Sequence, residues 1–325
     1  MTVSLVLRDS PRISDATKRR VRQAIKGLNF EPNQLARALA TGRSNLIGVI
    51  VPNSSDLYYA EVIRAIEDAA SAVQFHVLLC NGSYTMDTYT ARVRDMRRLH
   101  MKGIVAAPPF MSEKPRLPQF WKDLVNSDFK VVLINRQLDP PIFHQVAADY
   151  MRGVDMLASA LAERGHRRVA YISGSPGLVN FRQRVNAFKR CVRTYGFDAD
   201  DRLLEAGELS CAGGYEACKR LWKANRRKPT AVVASSDTTA VGVLRYFAEC
   251  GIDVPGQVSV ASFDGTPFAD FTSCSLTTVA TPMYEIGRQA FGLLREAMAG
   301  DLREPRSLIL PVDLRLRESI GPVPV

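Results

Sequence analysis

No stretch of this 325-residue chain reaches the roughly 18 consecutive apolar residues that a membrane-spanning helix needs. The apolar patch from Val3 to Leu7 is too short for the core of a signal peptide and soon gives way to charge. With 46% hydrophobic residues and a mean hydropathy of -0.08, the expectation is a soluble, cytoplasmic protein of two or three domains that is not bound to a membrane. Six cysteines show no CxxC spacing and no histidine partner at ligand distance, so they are read as free thiols in a reducing compartment. The four histidines, His76, His100, His144 and His166, are scattered and none sits in an HExxH or HxE setting. GxGxxG, the P-loop and GxSxG are all absent, and Gly174-Ser175-Pro176-Gly177 reads as a turn. Adjacent carboxylates such as Asp200-Asp201 are expected to be solvated. With no assembled nucleophile, base and orienter, no catalytic residue, metal ligand or cofactor is nominated. The chain reads as a binder, and an α/β enzyme with a site made of scattered residues is the competing reading.

Positive charge is abundant and unevenly placed. The net charge is +10, and the residues up to 45 carry nine lysines and arginines against Asp9, Asp15 and Glu31. A compact, helical, basic start points to nucleic acid, although a solvated helix face explains most charge runs. Ser14-Asp15-Ala16-Thr17 offers a helix cap with an acidic first turn, and Val21, Ala24, Ile25 and Leu28 follow at helical spacing. Pro32-Asn33 stops and restarts the chain, 33–40 is a second short helical stretch, and 41–45 is a linker by composition.

From Leu46 strands alternate with helices. Strands are expected at 46–52, 76–81, 103–107, 130–135, 168–173, 231–234 and 258–263, each short, apolar and rich in valine and isoleucine. Helical patterns lie between them at 60–73, 87–100, 153–164, 182–195, 214–223 and 238–250, with a last helix at 285–299 and closing strands at 308–311 and 313–317. The order is doubly wound α/β, in two units broken near Asp149.

Several segments in this order resemble the lactose/galactose-repressor family of bacterial transcription regulators. Ala162-Glu163-Arg164-Gly165-His166-Arg167-Arg168-Val169 is similar to the family's GHRRI strand entry, and Arg182 to Phe188 is similar to its RxxGF segment. Pro229 to Asp237, Gly251 to Pro255, Val258 to Asp264, Leu276 to Val279 and Leu314 to Ser319 continue the likeness. The resemblance implies a periplasmic-binding-protein-like fold of two doubly wound α/β subdomains. A small all-helical headpiece with a partial helix-turn-helix and a hinge helix precedes it. The expected division is a headpiece over 1–45 with its hinge at 33–40, then an effector-binding and dimerisation domain over 46–325. Within the latter, one subdomain takes about 46–149 and 281–307, and the other about 150–280 and 308–325. A first helix and turn are expected ahead of Thr2, so the headpiece as written is read as truncated.

By resemblance, Thr2, Val3 and Ser4 belong to the recognition helix that reads base edges in the major groove. Leu5 stands where the family usually has arginine. Asn33, Arg37 and Leu39 belong to the hinge, with Leu39 the apolar wedge of a minor-groove step; its other reading is an ordinary amphipathic-helix leucine. Asn135, Arg184, Ser236 and Asp264 are the implied polar contacts of the effector, with Ser54, Tyr58 and Tyr59 at the cleft lip. Ser236 replaces the family's usual asparagine and Ala187 its usual glycine. Such groups suit a sugar or related metabolite: the amide and carboxyl hold hydroxyls, and arginine forks two oxygens. The alternative for Arg184 is an exposed helix arginine beside Arg182, Lys189 and Arg190. The implied function is a homodimeric repressor that binds double-stranded operator DNA under effector control. A head-defective ligand-binding regulator, or a stand-alone solute-binding protein of the same fold, is the alternative.

Overall fold

A computed structural model describes residues 2–7, 9–28, 45–109, 119–174, 177–302 and 304–323. The chain divides into two compact units, Met1–Asn45 and Leu46–Val325. In the first, helix α1 (Thr2–Leu7) precedes α2 (Asp15–Gly27). The Ser14 hydroxyl caps α2 by accepting from the Thr17 N–H at 3.4 Å, and Asp15 and Lys26 complement the helix dipole at its two ends. Between the helices Asp9 adopts a left-handed φ of 51° and pairs with Arg22 at 2.9 Å and Lys18 at 3.2 Å. Exposed pairs of this kind contribute about 0–1 kcal/mol. Val6 is buried, whereas α2 buries no residue of its own. The expected hinge helix at 33–40, with Asn33, Arg37 and Leu39, lies outside the described residues.

The second unit begins with β1 (Leu46–Val51), α3 (Leu57–Ser71), β2 (His76–Asn81), α4 (Met86–Arg98), β3 (Gly103–Ala106), α5 (Gln119–Val125), β4 (Lys130–Ile134) and β5 (His144–Ala148). It continues through α6 (Tyr150–Glu163), β6 (Val169–Ser173), α7 (Val179–Thr194), β7 (Leu204–Ala206), α8 (Cys211–Ala224), β8 (Ala231–Ala234), α9 (Asp237–Glu249) and β9 (Ser259–Asp264). Strand β10 (Thr277–Ala280), α10 (Met283–Ala299), β11 (Ser307–Leu310) and β12 (Asp313–Arg315) complete it. Among the described residues these strands form two six-stranded sheets, ordered β11-β5-β4-β3-β1-β2 and β12-β10-β9-β8-β6-β7. All neighbours run parallel except β12, which is antiparallel to β10. The central strands bury every position, as sheets covered on both faces must, while edge strand β2 leaves alternate positions exposed.

The chain passes between the two lobes after β5, after β10 and after β11. The expected boundary at 307/308 is corrected here: β11 pairs with β5 from Ser307↔Gln145 to Leu310↔Ala148, so the return to the second lobe falls after Leu310. Parallel pairing with a buried strand satisfies the β11 backbone, and Pro311 then ends the ladder.

Helices α8 and α9 meet nearly backbone to backbone. A Cβ on Gly242 would lie 1.9 Å from the Cys211 carbonyl oxygen, and one on Gly214 would lie 2.1 Å from that of Thr239. This approach sets the starts of both helices side by side at the ends of β7 and β8. Gly242→Ala is expected to lower the stability of this unit by about 1–3 kcal/mol through overpacking, read as a lower urea midpoint in circular dichroism.

Candidate effector site

Open parallel sheets bind ligands beyond the carboxyl ends of their strands, because loops and helix starts gather there. In this chain β4 ends into Asn135-Arg136, β8 into Ser235-Ser236 and β9 at Asp264. Together with the start of α3 and one face of α7, they enclose a cleft of about 520 Å³ between the lobes. Tyr58, Tyr59, Asn135, Arg184, Ser236 and Asp264 all line it. Ser54 is not a lining residue; its N–H donates to Asn81 Oδ1 at 2.8 Å, beside the site. In the first unit Thr2 and Val3 lie exposed on α1, and Ser4 occupies the same short helix.

Arg184 is 2% exposed and is not a surface arginine. Its guanidinium carbon stands 3.6 Å from the Tyr150 ring centroid, and Nη1 donates to the Ser235 carbonyl at 3.0 Å. Its Nε has no hydrogen-bond partner in the protein, and neither do Asn180 Oδ1 and the Ser235 hydroxyl on the same lobe. Leaving such atoms unpaired costs about 1–3 kcal/mol each, so they are groups a ligand can satisfy. Across the cleft Arg136, also 2% exposed, donates to the carbonyls of Pro108, Asn135 and Ala107. Burial pushes the Asp264 carboxyl well above the usual range, the Asp237 charge adds to this, and Arg184 opposes it. Burial also raises Asp56, against the bond its carboxylate accepts from the Tyr58 N–H. The site therefore combines buried cations with carboxyls that take up a proton readily, beside the edge-to-face pair of Tyr58 and Tyr59. Such a surface can grip a hydroxylated small molecule.

Asn135 and Asp264 both have left-handed backbones, φ 52° and 109°. Asparagine tolerates this, whereas the conformation of Asp264 costs on the order of 1–3 kcal/mol and persists only if its surroundings enforce it. They do. The Asp264 carbonyl accepts from the Thr281 N–H at 2.9 Å, and the next N–H, of Gly265, donates to Thr278 Oγ1 at 3.2 Å. The fully buried Asp237 then ties the region together. Its Oδ1 accepts from Ser262 at 2.6 Å and Thr278 at 2.8 Å, and its Oδ2 accepts from the N–H and hydroxyl of Thr266, both at 2.7 Å.

Sequence reasoning passed over Asp56, Tyr84, Arg136, Asn180 and Asp237. The first three follow the carboxyl ends of predicted strands, so position alone was a usable signal for them. Nothing local marks Asn180, one residue into α7. The expected contact at Ser236 is qualified by its geometry: the hydroxyl caps α9, accepting from the Thr239 N–H at 3.1 Å and meeting Thr239 Oγ1 at 2.9 Å. Asp237→Ala strands four buried donors and is expected to cost at least about 3 kcal/mol in urea unfolding, with Asp237→Asn costing less.

A family model described as bacterial regulatory proteins, lacI family, matches residues 1–33, and one described as a periplasmic binding protein-like domain matches residues 158–320. Catabolite control protein A of Priestia megaterium is 28% identical over 319 residues, covering 98% of this chain and 94% of that protein. The HTH-type transcriptional repressor PurR of Vibrio atlanticus is 26% identical over 307 residues, covering 94% and 90%. Among solved structures, the transcription regulator CcpA of Lactococcus lactis aligns with a TM-score of 0.76 at 27% identity, over 86% of this chain and all of that one. The lac repressor dimer bound to operator shares the fold, with a TM-score of 0.87 at 21% identity, over 98% and 94%. With both of its units matched in order, the chain belongs to the lacI family of bacterial regulatory proteins.

Proposed function

We propose that this protein is a cytoplasmic, homodimeric transcriptional repressor whose binding to operator DNA is set by a sugar or sugar derivative held between its two lobes. The observation that carries the effector half is Arg184: a buried guanidinium stacked on Tyr150, with Nε unpartnered and Asp264 near enough for its charge to be felt. An arginine so placed forks two oxygens, Asp264 and Asn135 take hydroxyls, and the tyrosine pair supplies an apolar wall. A regulator of this family bound to cellobiose aligns with a TM-score of 0.76 at 26% identity, and one from Enterococcus faecium bound to ribose with 0.75 at 25%. Both support a carbohydrate over other small molecules. The DNA half rests on the basic first unit, where Thr2 and Val3 of α1 are exposed for groove contact. Asn33, Arg37 and Leu39 are assigned to the hinge contact on sequence likeness alone. This reading makes the protein a binder and not a catalyst.

Fluorescence anisotropy on duplexes tiling the protein's own promoter region is expected to find one tile bound selectively, with affinity falling steeply as salt rises. Uniform weak binding to every tile would overturn operator recognition by this chain. For the effector, calorimetric titration with a panel of pentoses and hexoses is expected to give a ligand whose affinity drops about thirtyfold, ~2 kcal/mol, in Arg184→Ala. An unchanged affinity in that variant removes Arg184 from the site.

A further inference from the structure

We propose that the effector cleft continues into an outer chamber that seats a second, uncharged, hydroxylated ring, so that the effector is a disaccharide or glycoside and not a free monosaccharide. This rests on reading the inner cleft as a sugar site. The inner space is walled by side chains that are themselves almost wholly buried: Tyr58 is 4% exposed, Tyr59 6% and Arg184 2%. At about 520 Å³ it lies toward the lower part of the range of roughly 300–1,000 Å³ found for small-molecule sites. Beyond it lies a chamber of about 1720 Å³ that shares Tyr84, Leu178 and Leu209 with the inner cleft. The two spaces are thus continuous through a common wall. The chamber opens where β2 and β7, the outermost strands of their sheets, come to an end.

The junction is marked by Tyr84, whose side chain is 47% exposed, an unusual place for a large aromatic face with no packing partner on that side. Partial burial of its hydroxyl pushes the group up to about 12, so the phenol stays neutral and the ring is a flat surface for a sugar face. The chamber floor is fixed by backbone contact. A Cβ on Gly213 would come within 2.3 Å of the Glu208 carbonyl oxygen, and Gly214 is pressed against α9. Its polar chemistry is already sorted. Arg220 is committed to Glu205 at 3.0 Å and to the Ala206 carbonyl at 2.7 Å, and the Ser210 hydroxyl accepts from the Gly213 N–H at 2.9 Å. What remains facing the chamber is acidic, the carboxylates of Glu208 and Glu216. Those groups accept hydrogen bonds from sugar hydroxyls and repel a phosphate, which selects a neutral second ring.

The test is calorimetric titration of the whole chain with matched probes: glucose, galactose, mannose and fructose against cellobiose, maltose, lactose, mannobiose and sucrose. At least one disaccharide is expected to bind about tenfold more tightly than its better component monosaccharide. Tyr84→Ala and Ala212→Trp, the second of which fills the chamber from an exposed helix position, are expected to erase that advantage while monosaccharide binding and the thermal melt of the free protein stay put. Arg184→Ala is expected to weaken both kinds of probe. Monosaccharides binding as tightly as the disaccharides, or an advantage that survives both chamber variants, overturns the outer subsite and leaves the inner sugar site standing. No heat from any probe overturns both.

Discussion

The buried carboxylate of Asp237 holds together the part of the molecule that does the binding. It sits in the first turn of α9, where unpaired N–H groups and the helix dipole favour negative charge, and it accepts four hydrogen bonds from β9, β10 and the loop between them. A carboxylate taken out of water this far is stable only when its oxygens are so occupied. The return is geometric. Thr266 and Thr278, fastened to Asp237, pin the chain on either side of Asp264 and keep that residue in its left-handed conformation at the cleft. The same charge reaches Asp264 through space and, added to burial, makes its carboxyl reluctant to ionise. Two aspartates a few residues from one another in space thereby take different parts, one a structural anchor and the other a tunable contact beside Arg184.

That division bears on how a ligand can act. Arg184, Asn180, Ser235 and Asp264 come from the second lobe, while Tyr58, Tyr59, Asn135 and Arg136 come from the first. A molecule that satisfies groups on both lobes is bound most tightly in whichever arrangement of the lobes brings them together. Its leverage equals the difference in affinity between arrangements, and equal affinity moves nothing. The unpartnered Nε of Arg184 and Oδ1 of Asn180 supply such a difference, because their cost is relieved only when the ligand is in place.

Much of this architecture was legible in the sequence because parallel strands buried on both faces carry an unambiguous signal. Segments such as Leu-Ile-Gly-Val-Ile-Val and Ala-Val-Val-Ala were placed to within a residue of β1 and β8. Strands that lack that signal escaped. β5 begins His-Gln, and it is buried only because Gln145 straps the preceding loop, meeting the Leu138 N–H at 3.0 Å and its carbonyl at 3.1 Å. β7 is a three-residue edge, and β10 opens with two threonines whose hydroxyls are satisfied by Arg317, Asp237 and Gly265, partners far away in the chain. The cleft followed the same rule. Residues lying just past recognisable strands were within reach, whereas Asn180 and the role of Asp237 depend on tertiary neighbours that no local pattern encodes.

Ser236 shows how a single exchange redistributes recognition. The resemblance places an asparagine there, with an amide long enough to reach a ligand while its neighbours cap the helix. In this chain the shorter serine hydroxyl is consumed by the cap, held between the N–H and hydroxyl of Thr239. A serine oxygen that is already an acceptor in a cap can offer a ligand little more than its remaining lone pair. Hydrogen bonding that the family draws from that amide must then come from elsewhere on the second lobe, and the groups on hand are the unpartnered Asn180 amide oxygen and the Ser235 hydroxyl, one turn and one residue away from Arg184 and Ser236 respectively. Both line the cleft or its floor already, so the exchange at Ser236 shifts selectivity toward α7 and the end of β8 and does not abolish the site.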